Sequence, residues 1–129
     1  SVRILLGDCR ERLRGLPDGM AQTCVTSPPY FGLRDYGVDG QIGLEATPDA
    51  FVGAMVAVFR EVRRVLRDDG TLWLNLGDSY AGAGYSNHHN TGGAQSINGG
   101  KQKHLTGSGL KNKDLIGIPW RYALRCIDN

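Results

Sequence analysis

Thr23-Cys24-Val25-Thr26-Ser27-Pro28-Pro29-Tyr30 is the stretch whose reading decides the fold. Its first half is short, apolar and β-prone, so it predicts a strand, and its second half is the turn leaving that strand's carboxyl end. Open α/β sheets bind their ligands at such ends. Two consecutive prolines remove two backbone donors and fix two φ angles. The residue before each proline is also pushed away from helical geometry. The loop is therefore stiff and extended, with carbonyls free of any helix ladder. A hydroxyl precedes it and an aromatic ring follows it. That combination suits a flat ring carrying an amino group.

Working outward, residues 2–6 (Val-Arg-Ile-Leu-Leu) read as a buried strand ending at Gly7-Asp8. A short helix is expected from Cys9 to Leu16, stopped by Pro17-Asp18-Gly19. On the other side, a glycine-punctuated crossing leads to the best helix in the chain. Thr47 is its N-cap, Pro48 suits the first helical position, and Asp49 favours the positive end of the dipole. Phe51, Met55, Val58, Phe59, Val62 and Leu66 recur at helical spacing and define one apolar face. Arg60, Arg63, Arg64 and Arg67 are read as the outer face, and Gly70 as the end of the segment. Residues 71–76 (Thr-Leu-Trp-Leu-Asn-Leu) predict a third strand ending at Gly77-Asp78. Trp73 and Trp120 are read as core.

The chain then changes character. Nine of its 19 glycines lie between Gly77 and Gly109, mixed with polar residues and all three histidines. Residues 81–112 are thus expected to form a long mobile loop. Order resumes near Asp114, with a helix expected to about Cys126 and Pro119 near its first turn. Three strands separated by helices give an α/β architecture. Asp8, Ser27 and Asp78 then fall at three strand ends along one edge.

Size and composition bound the reading. The 129 residues make one domain at most, and 40% apolar with 22% charged residues fit a globular class. A formal charge of +2 neither demands nor excludes a nucleic-acid partner. Cys9, Cys24 and Cys126 are odd in number and widely spaced, which disfavours a disulfide framework and a zinc site and favours a reduced, cytoplasmic setting. No signal peptide or membrane-spanning run is visible. His88, His89 and His104 read as a solvated loop rather than metal ligands, so no metal is expected. Lys101, Lys103, Lys111 and Lys113 could meet DNA phosphates or simply face water. Asn75 could reach the cleft or satisfy local backbone.

With these residues in place, the chain resembles the S-adenosylmethionine-dependent DNA amino-methyltransferases, the N4-cytosine and N6-adenine enzymes. It is similar to the class whose catalytic motif precedes the cofactor glycine motif. Leu6-Gly7-Asp8-Cys9, Ser27-Pro28-Pro29-Tyr30, the segment from Gly70 to Tyr80, and Asp114 to Arg121 carry the likeness. The resemblance implies a Rossmann-like sheet, S-adenosylmethionine as cofactor, and double-stranded DNA as partner. It implies catalytic roles for Ser27, Pro28, Pro29 and Tyr30, and cofactor contact by Asp8 and Cys9. Tyr30, Asp78 and Tyr80 would bind the base, although a capping Asp78 and a buried Tyr80 weigh equally. Ser rather than Asp before Pro-Pro-Tyr leans toward cytosine N4, with adenine N6 behind it. RNA or protein-amide methylation usually goes with Asn at that position. Cytosine carbon-5 methylation would need a Pro-Cys nucleophile, and none is present.

One departure is as informative as the match. No Phe-x-Gly-x-Gly motif occurs, and Ala81-Gly82-Ala83-Gly84 has the glycines in the wrong place. In the family's fold two late strands separate the Asp8 strand from the Ser27 strand. The expectation is therefore an incomplete sheet and a partial catalytic domain over residues 1–129, inactive alone. A missing C-terminal part or a complementing chain would complete it, and a homodimer is a further possible partner. A non-catalytic nucleic-acid-binding remnant is the competing reading from another class.

Overall fold

The structure is a computed structural model that describes residues 2–81, 109–111 and 113–128. Its organising element is the helix announced by Thr47. The Thr47 hydroxyl accepts from Ala50 N at 3.1 Å, and Pro48 occupies the first turn, where its missing N–H costs nothing. In chain order the elements are α1 (Cys9–Arg14), β1 (Ala21–Thr26), α2 (Pro48–Val65), β2 (Leu66–Leu74) and α3 (Ile118–Ile127).

β1 and β2 pair in parallel, joined through α2 in a crossover unit. The register sets Cys24 beside Leu72, Val25 beside Trp73 and Thr26 beside Leu74, with an irregularity between Ala21 and Thr23. β2 begins directly at the end of α2, five residues before the Thr71 start that sequence patterning gives. Arg67, Asp68, Asp69 and Gly70 have no partner in that register and form its irregularity, between Leu66 opposite Ala21 and Thr71 opposite Thr23. The close approach at Gly70 fits this, because a Cβ there would stand 3.1 Å from Gln22 O and 2.9 Å from Arg67 O.

Side-chain alternation gives the sheet two unlike faces. Cys24 and Leu74 pack on the core made by Phe31, Phe51, Val52, Met55, Val56, Phe59 and Val62. Phe51 is completely buried and stacks at a tilt on Phe31, with ring centroids 5.5 Å apart. α3 closes one side of α2 through Ile118 and Tyr122, whose ring meets Phe59 edge-on at 5.4 Å. Burial raises the Tyr122 phenol, as does its hydrogen bond with Cys126. On the opposite face Thr23 and Thr71 share a hydroxyl contact at 3.2 Å, while Val25 and Trp73 are 77% and 65% exposed.

Several expectations change. Among the described residues the sheet has two strands, not three. Residues 2–6 take no strand pairing and Ile4 is 80% exposed, because an apolar run forms a strand only where a neighbouring backbone completes its ladder. Trp73 and Trp120 are not core: their faces have no covering layer among the described residues. Arg64 does not belong to a purely solvated face. It donates to Leu13 O at 2.8 Å and Leu16 O at 2.9 Å, and pairs with Asp18 and Glu61, tying the end of α1 to α2. Leu13 O also accepts from Leu16 N at 3.0 Å, and the planar guanidinium fork adds a second donor at this helix exit.

The expected mobile loop at 81–112 falls mostly on residues 82–108 and 112, outside the described residues. Its flanks are described and they meet. Ala81 N donates to Asp114 O and Lys113 N donates to Ala81 O, both at 2.7 Å. Tyr80 and Leu115 form an antiparallel bridge beside them.

Candidate active site

The carboxyl ends of β1 and β2 lie side by side. The ladder continues one step past β2, since Asn75 N donates to Thr26 O at 3.0 Å. Beyond it the chain leaves through Ser27-Pro28-Pro29-Tyr30 on one side and Leu76-Gly77-Asp78-Ser79 on the other. Ser27 is exposed, and among the described residues its hydroxyl has no hydrogen-bond partner. Pro28, Pro29 and Tyr30 are half-buried.

The two exits are locked together. Ser79 Oγ donates to Phe31 O at 3.1 Å. The Tyr30 ring lies over Gly77 so closely that a Cβ there would stand 2.6 Å from Cε2 and 2.8 Å from Cδ2. Gly43 presses on the other side: its Cβ would meet Tyr30 O at 3.1 Å and Pro29 Cβ at 3.3 Å. Gly32 N donates to Gly43 O at 2.7 Å, and Gly43 N to Glu45 Oε2 at 2.9 Å. Gly43 has φ +112°, so its position needs glycine for conformation as well as space.

Asp78 realises the capping alternative. Its carboxylate accepts from Ser79 N at 2.8 Å, Gly117 N at 2.9 Å and Ile118 N at 2.9 Å, at the start of α3. A carboxylate facing the positive end of the helix dipole is stabilising. Asp78 thus joins the exit of β2 to α3. Tyr80 is exposed rather than buried and leaves this cluster through its bridge to Leu115.

Asp8 and Cys9 sit elsewhere in this contact network. Asp8 caps α1, accepting from Arg10 N at 2.8 Å. Its carboxylate also takes the Arg10 guanidinium, Nε lying 2.9 Å and 3.1 Å from its two oxygens. The Arg10 hydrogen bonds hold the Asp8 carboxyl at about 2, below the usual 3.8. Arg10 then reaches Gly40 O at 3.3 Å. That carbonyl borders an open cavity of about 580 Å³ lined by Asp35, Val38, Asp39, Gln41, Leu44 and Glu45 among others. None of the site residues read from the sequence lines it. Among the described residues no cluster of ligands could hold a metal. Lys111 and Lys113 are exposed; the three histidines, Lys101 and Lys103 lie outside the described residues.

Sequence reading singled out Ser27, Pro28, Pro29, Tyr30 and Asp78, and these meet here. It missed Gly43 as the support of the loop and Ser79 as its tie. Gly77 was visible only as the end of a strand.

The DNA methylase family, the N6/N4 methyltransferases, matches residues 21–122. Members of this family take their methyl group from S-adenosylmethionine. The chain is 49% identical over 127 residues to the Type II methyltransferase M.SmaI of Serratia marcescens, covering 95% of this chain and 42% of that protein. It is 50% identical over 125 residues to the Type II methyltransferase M.XycI of Xanthomonas campestris pv. cyanopsidis, covering 95% and 41%. Against the Type II methyltransferase M.SfiI of Streptomyces fimbriatus the identity is 41% over 126 residues, covering 98% and 27%. The chain therefore spans about two fifths of the first two relatives and less of the third. No solved structure matches it.

The described residues do not fit the whole of S-adenosylmethionine. Both Asp8 oxygens are already engaged by Arg10, and the sequence holds no Phe-x-Gly-x-Gly turn for the methionine end. What they do present is an exposed Ser27 hydroxyl, a proline-stiffened turn and the Tyr30 ring at the sheet edge. From residue 21 to residue 122, this chain belongs to the DNA methylase family.

Proposed function

We propose that this chain carries the base-gripping loop of a Type II DNA amino-methyltransferase acting on cytosine N4. The supporting observation is the pairing of an exposed, unengaged Ser27 hydroxyl with a Tyr30 ring held in place three residues on. An exocyclic amine is a poor nucleophile because its lone pair is conjugated into the ring. Ser27 Oγ and the Pro28 carbonyl accept the two amine hydrogens and localise that lone pair on nitrogen. Pro29 has no N–H and stiffens the turn, so the acceptors are set before the base arrives. The base must leave the duplex stack, at a cost of a few kcal/mol. Stacking on Tyr30 offsets about 1–3 kcal/mol of it.

In this reading Asp8 and Cys9 contact the cofactor's adenosine end, which requires Asp8 to exchange part of its Arg10 pairing. Asp78 acts by anchoring the β2 exit to α3, and Tyr80 offers an exposed ring at the pocket margin. Residues 1–129 form one partial catalytic domain. The rest of the sheet comes from further polypeptide or a complementing chain, and the 129 residues alone are inactive. Double-stranded DNA is the partner. The cell interior is the setting, in keeping with three free thiols and no helix among the described residues long and apolar enough to cross a membrane.

Ser27→Ala in the complete protein tests the assignment. Methyl transfer should fall about 10²-fold, by analogy with losing one preorganised polar contact to a reacting group, while DNA affinity stays unchanged. Equal losses in transfer and binding would remove Ser27 from the chemistry.

A further inference from the structure

The requirement for glycine at position 77 does not come from the backbone. Gly77 is absent from the left-handed region that Gly43 and several other glycines occupy, so alanine could adopt its φ. What excludes a side chain is the Tyr30 ring, with Cε2, Cδ2 and Cζ at 2.6, 2.8 and 3.2 Å from the place a Cβ would take.

Both backbones are tethered. On the Gly77 side, Asn75 N is bonded to Thr26 O, Asp78 to the start of α3, and Ser79 Oγ to Phe31 O. On the Tyr30 side, Gly43 packs against Pro29 Cβ and Tyr30 O. A methyl at position 77 must therefore be met by rotation of the ring about its own side-chain bonds.

We propose that Gly77 is a positioning residue for Tyr30: its bare Cα is the platform that fixes the ring plane on which the extruded base stacks. This inference rests on the proposed base-gripping function of the loop. Gly43 complements it from the backbone side, fixing where the ring starts while Gly77 fixes how it lies.

A two-by-two set of variants in the complete protein tests this: wild type, Gly77→Ala, Tyr30→Ala and the double variant. Thermal unfolding is read on all four. Base capture is read by 2-aminopurine fluorescence at the position that methylation mapping of the wild type identifies. Gly77→Ala should lower the melting temperature when Tyr30 is present and leave it unchanged when residue 30 is alanine, because the clash partner is then gone. Base capture should fall about tenfold in Gly77→Ala, a size set by base–aromatic stacking. The double variant should be no worse than Tyr30→Ala alone.

Equal destabilisation by Gly77→Ala in both backgrounds would overturn the proposal, as would wild-type base capture in Gly77→Ala. Absence of methylation by the wild type would instead count against the amino-methyltransferase reading, and the melting cycle would still decide the contact.

Discussion

The two faces of the β1–β2 sheet make the sharpest contrast in the molecule. One lies under α2 and joins a core containing Phe51, Met55 and Ile118, all but fully buried. The other carries Val25 and Trp73 side by side with no covering layer among the described residues. Both carry large apolar side chains, as do residues 2–6. Parallel sheets are normally covered on both faces. The difference therefore lies in what is available to pack, not in the character of the strands. The same contrast bears on chemistry. The loop from Ser27 to Tyr30, proposed to grip the base, is held by both strand exits and braced by α3. Asp8 follows an unpaired segment and satisfies itself on Arg10.

The largest effect that could break this contrast belongs to the covered face. Phe51→Ala should cost about 3–5 kcal/mol in denaturant unfolding, the usual range for emptying a buried aromatic site. A loss near zero would mean that the α2 core is not the stabilising one.

Next comes the tie between sheet exit and α3. Asp78→Ala leaves the Gly117 and Ile118 N–H groups without their acceptor and should cost about 0.5–2 kcal/mol. Amide exchange should speed up at Gly117 and Ile118 while β1 is unaffected.

Asp8 sharpens the contrast through pH. Its folded value of about 2 lies below the ordinary 3.8, so its contribution is present above 3.8 and is lost as pH falls through about 2. Carbon-13 NMR of the Asp8 carboxyl should titrate in that depressed range, and the α1 amides should report loss of the cap as it protonates. Asp8→Asn should abolish the ion pair with Arg10 while preserving a side-chain cap. Titration of Asp8 at the ordinary value would break the Arg10 pairing.

The smallest effect is expected on the bare face. Trp73→Ser in the 129-residue chain should change stability by no more than about 0.5 kcal/mol. Iodide should quench Trp73 fluorescence freely. A core-sized loss would show that this face is covered after all.

Part of this was legible in the sequence. Thr47-Pro48-Asp49 and the apolar spacing from Phe51 to Val62 locate α2 and its buried side, and the loop after β1 follows from two adjacent prolines. These are local signals, fixed by φ restriction, capping and periodicity. Residues 2–6 and Trp73 misled for one shared reason. Periodicity says which side of an element is apolar, but not whether anything covers it. Arg64 looked solvated because two of its partners, Leu13 O and Leu16 O, are backbone atoms with no sequence signature, and Asp18 is distant in the chain. The contact of Tyr30 with Gly77 joins residues far apart in the chain, so it emerges only once both strand exits are in place.

Nucleoside mass spectrometry tests the central claim most directly, on DNA from a methylation-free host expressing the complete protein. The account predicts N4-methylcytosine, strongly reduced when Ser27 is replaced by alanine. N6-methyladenine would keep the amine chemistry and overturn the choice of base. DNA carrying neither mark would contradict the account.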